Sequence, residues 1–296
     1  MRLSCAAFEF AIILFLGCIG SIGGGGVALL RRRFCVLALC ACSSVAISLL
    51  TGCQQRESAP EPTETLTIGY DEYRPFVFVD DNGNMAGIDV EIAQEACRRA
   101  GLRAEFKQVD WENRDQFLES GQVDCLWSCY SMNDREDSYA WVGPYLYSRQ
   151  AVAVLNDSPI QSFADLAGTR VAVKASTKPE SIFLERAGVP AVKNVYCLSD
   201  VSEMAAALRN KFVDALAGHA ATLAWYLQNT GVDYRFLDGE LLRAALGVAF
   251  PQNSSTAVRS ALGDALHQMS LDGTTAAIVQ SYGLDSQKAL SGVEHE

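Results

Sequence analysis

The chain has 296 residues, 49% of them hydrophobic, and a formal net charge of −11. That composition is globular and long enough for one large or two medium domains. The acidic balance excludes a nucleic-acid-binding protein, because no basic cluster outside Arg31, Arg32 and Arg33 could neutralise a phosphate backbone.

Those arginines precede FCVLALCACSSVAISLLTGC, and a basic stretch before an apolar one is the pattern of a secretory signal. Its ending, LTGC, resembles the lipobox of bacterial lipoproteins, which implies acylation of Cys53 as the mature first residue. The plainer alternative is a membrane anchor with a cysteine at its edge. Upstream, AIILFLGCIGSIGGGGVALL is a second apolar stretch, but four consecutive glycines weaken it as a helix. Residues 1–30 therefore read as a mis-assigned start, with translation beginning near Leu29 or Leu30. The glycine run lacks the Lys and Ser/Thr of a phosphate loop. Residues 1–52 form the expected signal region and 53–64 a lipidated, Pro-containing tether. Cleavage before Cys53 removes Arg2, the three arginines and Glu9, which leaves a still more acidic mature chain. Only Cys97, Cys125, Cys129 and Cys197 remain in the folded part. On one extended strand Cys125 and Cys129 would lie roughly 13 Å apart, too far for a disulfide, so free and mostly buried thiols are expected.

From Leu66 strand and helix signals alternate. LTIGY reads as a strand, and FVFVDDNGNMAG as a hairpin turning at Asn82-Gly83. DVEIAQEACRRAG is a helix with Asp89 as N-cap and Gly101 as stop. AEFKQVDW, RDQFLESG and VDCLWSC follow as strand, short helix and strand. After Phe163, RVAVKAS is a strand and TKPESIFLERAG a helix, with Thr177 and Glu180 spaced as a capping box. DVSEMAAALRNK, FVDALAG and HAATLAWYLQNTG read as helix, strand and helix. GVAFPQ is a further strand, and two closing helices follow, the first striped by Val258, Ala261, Leu262, Ala265, Leu266 and Met269. Strands alternating with helices mean an α/β fold. GQVDCLWSC and NKFVDALAGHA echo each other, each running through Val-Asp into a short apolar strand, which suggests two similar lobes. Asp124 and Asp214 read as structural groups bonding backbone at strand entry.

LTIGYDEYRPFVFVDDNGNMAGIDVEIAQEACRRAGLRAEFKQVDWENRDQFLESGQVD resembles the opening lobe of bacterial extracellular solute-binding proteins, family 3, the substrate-binding lipoproteins of polar-amino-acid ABC transporters. The likeness continues through SYAWVGPY, SFADLAGTRVAVKAST, FVDAL and DGTTAAIVQSYGL, and covers about residues 65–285. It implies a periplasmic-binding-protein-like type II fold, two α/β lobes joined by two hinge strands with ligand in the cleft. Residues 65–148 plus 249–285 would form lobe 1, residues 154–243 lobe 2, and 286–296 a tail. YSRQAVAV and RAALGVAF would be the hinge strands.

By the same resemblance Arg135 takes the place of an arginine that forks onto a ligand carboxylate. The alternative is a surface arginine paired with Asp134, Glu136 or Asp137. The loop from Ser131 to Arg135 is one residue shorter than the family's. Ser128 and Ser131 match its small polar positions, and strand-end capping is the competing role. Tyr73 aligns with an aromatic that covers ligand, or packs on Pro75 and Phe76. Trp111 sits at a cleft-mouth position or in the core, Tyr130 fills cleft or core, and Trp127 and Trp141 look structural. Ser176 and Thr177 end a strand and start a helix, where backbone N–H groups attract a carboxylate. His219 stands where the family commonly places an aspartate for the ligand ammonium. Either another acid, such as Asp71 or Glu72, replaces it, or the ligand is not a standard α-amino acid. A solvent-facing histidine at a helix start is the other reading.

The resulting expectation is a lipid-anchored extracytoplasmic receptor, monomeric and without cofactor. It would present a small amino-acid-like ligand to an ABC transporter permease. The alternatives are a dehydratase-like enzyme on the same fold and a ligand-sensing receptor domain. No GxSxG occurs, and nothing pairs a nucleophile with a base.

Overall fold

The computed structural model describes residues 64–292. The signal region, Cys53, the tether up to residue 63 and residues 293–296 lie outside the described residues. In chain order the strands are β1 (Glu64–Tyr70), β2 (Phe78–Val79), β3 (Met85–Ala86), β4 (Leu102–Gln108), β5 (Cys125–Leu126) and β6 (Ala140–Leu155). Then come β7 (Arg170–Lys174), β8 (Asn194–Leu198), β9 (Ala215–His219), β10 (Tyr234–Phe236) and β11 (Leu242–Phe250). The helices are α1 (Ile88–Arg99), α2 (Arg114–Glu119), α3 (Lys178–Glu185), α4 (Val201–Arg209), α5 (Ala220–Asn229), α6 (Thr256–Leu271), α7 (Thr274–Ser281) and α8 (Ser286–Leu290).

The sheet path is β4-β1-β5-β11-β6-β9-β7-β8, with β10 also on β6. β1 is parallel to both β4 and β5, and β7 is parallel to both β8 and β9. The two sets are thus built to one plan: central strand, helix, outer strand, helix, inner strand. Between them β6 and β11 run antiparallel, from Leu242 opposite Gln150 to Phe250 opposite Ala140. β6 is long because it serves both sets, meeting β9 from Gln150 opposite His219 to Ala153 opposite Leu216.

The Val-Asp echo has a shared cause. The Asp124 carboxylate accepts the Thr67 N–H at 2.7 Å, and the Asp214 carboxylate accepts the Arg170 N–H at 2.8 Å. Each aspartate ties the start of an inner strand to its central neighbour, a role in which only a short acceptor side chain fits. The hairpin turns as expected, with Gly83 at φ 83 and Asp80 Oδ1 accepting from the Asn82 and Asn84 N–H groups. The cores are apolar on both sheet faces. Leu262, Ala265, Leu266 and Met269 form the buried stripe of α6, with Val258 and Ala261 partly covered. Each fully buried large side chain contributes roughly 1.5–3 kcal/mol.

Several local expectations are corrected. Asp89 is not the N-cap of α1; Gly87 is, at φ 124, and a Cβ there would fall 2.2 Å from the Phe76 oxygen. Asp89 is instead buried in the first turn. Thr177 occupies the N-cap of α3, but its hydroxyl donates to Lys174 O at 2.6 Å, and Glu180 reaches back to the Ser176 N–H at 2.7 Å. The capping box is therefore not formed. β5 stops after two residues because the chain turns at Cys129, where φ is 49. The segment set apart as a tail contains α8, whose Ala289 and Leu290 pack on the core. Cys97, Cys125 and Cys129 are free and buried, while Cys197 is free and exposed. Among the described residues no helix is long and apolar enough to cross a membrane.

Candidate functional site

The carboxyl ends of β1, β5, β7 and β9 converge on one cavity of about 410 Å³, its open mouth included. Such ends are where open α/β sheets place ligands, because helix starts and loops there present unpaired backbone groups. From the β1–β5 side Tyr73, Trp111, Ser128, Ser131 and Arg135 line it. From the β7–β9 side come Ser176, Thr177 and His219. All eight residues singled out from the sequence therefore face one space.

Arg135 is half-buried and has no carboxylate partner among the described residues. The neighbouring Asp134 forms its ion pair with Lys178 Nζ, at 2.8 Å. The Arg135 guanidinium lies 5.1 Å from the Tyr130 ring centre, and Nη1 donates to Ser131 O at 3.2 Å. Trp141 Nε1 donates to the Arg135 carbonyl at 2.9 Å and so fixes its backbone. Burial depresses the Arg135 pKa below its usual value, yet a guanidinium stays charged at physiological pH.

Ser128 Oγ donates to Asp71 O at 2.8 Å, and Ser131 Oγ donates to Asn133 Oδ1 at 2.8 Å. Both hydroxyls thus brace their loops while facing the cavity. Tyr73 is 7% exposed, stacked on Phe76 and edge-on to His219 at 5.8 Å, so its packing and lining roles coexist. Trp111 is buried, edge-on to Tyr130 at 5.1 Å. Tyr130 also lines the cavity, with Arg114 Nε donating to its hydroxyl at 3.0 Å.

His219 is 5% exposed, which overturns the solvent-facing alternative. Its Nε2 meets Gln150 Nε2 and its Nδ1 meets Ser148 Oγ, each at 2.8 Å. Burial pushes the imidazole pKa down to about 3, so the ring is neutral. Neither acid suggested as its substitute is unengaged. Asp71 Oδ2 binds Lys174 Nζ at 2.8 Å, and Glu72 pairs with Arg74 at 3.1 Å.

Strain gathers here. Cys129, Asp134 and Ser176 all have positive φ without being glycine, and all border the cavity or its rim pair. Such conformations cost of order 1–3 kcal/mol each and persist where surrounding contacts hold them. One contact is visible: the buried Asp89 carboxylate accepts the Cys129 N–H at 2.5 Å.

Gln150, Lys174 and Lys178 also line the cavity and were not singled out beforehand. Signals existed. Gln150 is the one polar side chain at the head of the apolar run QAVAV. Lys174 is a charge closing the buried strand RVAVK. Lys178 puts a cation at a helix start, against the helix dipole, which asks for a nearby anion. Among the described residues no cluster of His, Cys, Asp and Glu is grouped to hold a metal.

Two matched strand sets, two shared crossing strands and a charged cavity between them define a two-lobed binding protein. Residues 66–285 match the family model for bacterial extracellular solute-binding proteins, family 3, and the chain belongs to that family. The chain is 27% identical to the L-cystine-binding protein TcyJ of Escherichia coli (strain K12), over 82% of this chain and 95% of that one. It is 27% identical to the L-cystine-binding protein TcyA of Bacillus subtilis (strain 168), over 75% and 83%. Its fold matches an ABC uptake transporter substrate-binding protein of Streptococcus pneumoniae crystallised with bound histidine. There the TM-score is 0.68 at 24% identity, covering 75% of this chain and 94% of that one. The family is one of binding proteins, not enzymes.

Proposed function

We propose that the protein is an extracytoplasmic solute-binding lipoprotein, anchored through acylated Cys53, that delivers a small carboxylate-bearing ligand to an ABC importer. The ligand is an amino acid or a relative of one. It lies between a lobe of residues 65–148 plus 249–285 and a lobe of residues 154–243, and the protein acts as a monomer. The observation that carries this reading is Arg135, a cavity-lining guanidinium with no carboxylate of its own among the described residues. A planar fork left unpaired in a partly desolvated cavity suits a ligand carboxylate. Family membership supports the transport role, and relatives named for L-cystine binding support the ligand class. Ligand touching both sides would favour the closed state that an importer recognises.

A thermal-shift screen against amino acids, amines, small peptides and organic acids tests this. A ligand at a hundred times its Kd adds about 2.7 kcal/mol to native stability. Carboxylates related to amino acids should therefore raise Tm by several degrees. If stabilisation came only from amines, or from no compound at all, the reading would fail.

A further inference from the structure

Gln150 lies on β6 where that strand passes the cavity, and its side chain is only 1% exposed. Its amide donates to His219 Nε2, and His219 Nδ1 in turn donates to Ser148 Oγ. Bonds running in this direction leave the Gln150 carbonyl oxygen buried and without a protein partner, on a side chain that lines the cavity. A buried acceptor in that state calls for a donor from whatever fills the space. Turning the amide over would present NH₂ instead. In either orientation the open group is uncharged.

The charges around the cavity point the same way. Lys174 is matched by Asp71, whose second oxygen already accepts the Glu72 N–H at 2.9 Å. Lys178 is matched by Asp134. Arg135 alone among these cations lacks a counter-ion among the described residues, so the site asks for one negative charge. A zwitterion would bring that charge together with an ammonium. The ammonium would lose its water beside two lysines; the one carboxylate lining the cavity, Asp71, is already held by Lys174 and the Glu72 N–H, the other acceptors are neutral, and such a burial is not offset.

We propose that the Gln150–His219–Ser148 chain selects a monocarboxylate whose second polar group is uncharged, such as the N-acylated or 2-hydroxy counterpart of an amino acid, over the zwitterion. This selection rests on the carboxylate-binding reading above. Gln150 is then a specificity-determining residue: its open amide end meets the neutral group while Arg135 holds the carboxylate.

Calorimetry on the full-length protein in mild detergent tests the selection. The probes are the L-amino acids, each beside its N-acetyl and 2-hydroxy counterparts, at pH 7. For whichever side chain binds, its N-acetyl or 2-hydroxy counterpart should bind at least tenfold more tightly than the zwitterion. Gln150→Leu should weaken that counterpart at least tenfold and the zwitterion little. Gln150→Glu, which supplies a carboxylate, should move the preference toward the zwitterion. A wild-type preference for zwitterions that Arg135→Ala abolishes would overturn the selection and leave the carboxylate reading standing. Absence of binding in all three sets would overturn both. The wild-type ranking decides the matter even if a variant does not fold.

Discussion

At the scale of single residues, Arg135 is held in place by others and holds little itself. Its backbone is fixed by Trp141 and its ring contact is with Tyr130, while its own side chain makes one bond, to Ser131 O. Removing it should cost the fold little. The bond pair it offers a ligand is charge-assisted, worth roughly 1.5–3 kcal/mol per interaction. Arg135→Ala is thus expected to weaken ligand binding at least ~100-fold by calorimetry, a factor equal to about 2.8 kcal/mol. Its Tm without ligand should stay within about 2 °C of wild type. Unchanged affinity would remove Arg135 from the site. The cavity-lining Arg135, Ser128, Ser131, Ser176 and Thr177 were singled out from the sequence because they fall in a recognisable order, whereas Gln150, Lys174 and Lys178 were not. The pairing of the charges was not readable. That Lys178 takes Asp134 away from Arg135 depends on how the two strand sets face each other.

At the scale of elements, strand and helix alternation was legible wherever burial is one-sided or complete. It failed where patterning is weak. β8 is an edge strand of half-exposed residues, and β6 carries Gly143-Pro144, which reads as a loop. Asp89 shows how tertiary context overrides a local signal. Its spacing suits an N-cap, yet it lies in the first turn of α1 and reaches across to the Cys129 N–H. This bond joins a rigid helix to the loop bearing Ser128, Ser131 and Arg135. Burial lifts the Asp89 pKa to about 7, against the hydrogen bonds from the Cys129 N–H and Tyr145, which pull it down. Asp89→Ala leaves a buried N–H unsatisfied and should destabilise by roughly 1–3 kcal/mol. It should also weaken ligand binding, because Cys129 loses the contact that holds its positive φ. Asp89→Asn keeps an acceptor and should cost less in both respects. Denaturant melts with ligand titrations on both variants check the ordering. Equal losses from Ala and Asn would show that the bond to Cys129 is not what matters.

At the scale of the whole molecule, two buried ionisable groups on different elements set opposing pH slopes. His219 has a folded pKa near 3 against the usual 6.5, so the unfolded chain takes up its proton first. Its contribution is present above pH 6.5 and is lost as pH falls. Asp89 has a folded pKa near 7 against 3.8, so the folded chain holds the proton more tightly. Its contribution is present below about pH 4 and is lost as pH rises toward 7. Between pH 6.5 and 5.0 each group shifts stability by roughly 1.5–2 kcal/mol, in opposite senses. Wild-type stability should therefore be nearly flat across that window. Glu95, held down to about 2 by Arg98 and Arg99, adds its own loss only nearer pH 4.5. Single variants should uncover the hidden slopes. His219→Gln removes the acid-labile group, so stability should rise as pH falls from 6.5 to 5.0. Asp89→Asn removes the opposing one, so stability should fall over the same range. Urea melts of the three proteins at four pH values would resolve differences of this size. A flat profile in both variants would mean that neither group is buried in its ordinary charge-excluding state. It would also undercut the neutral imidazole on which the cleft's preference for an uncharged second group depends.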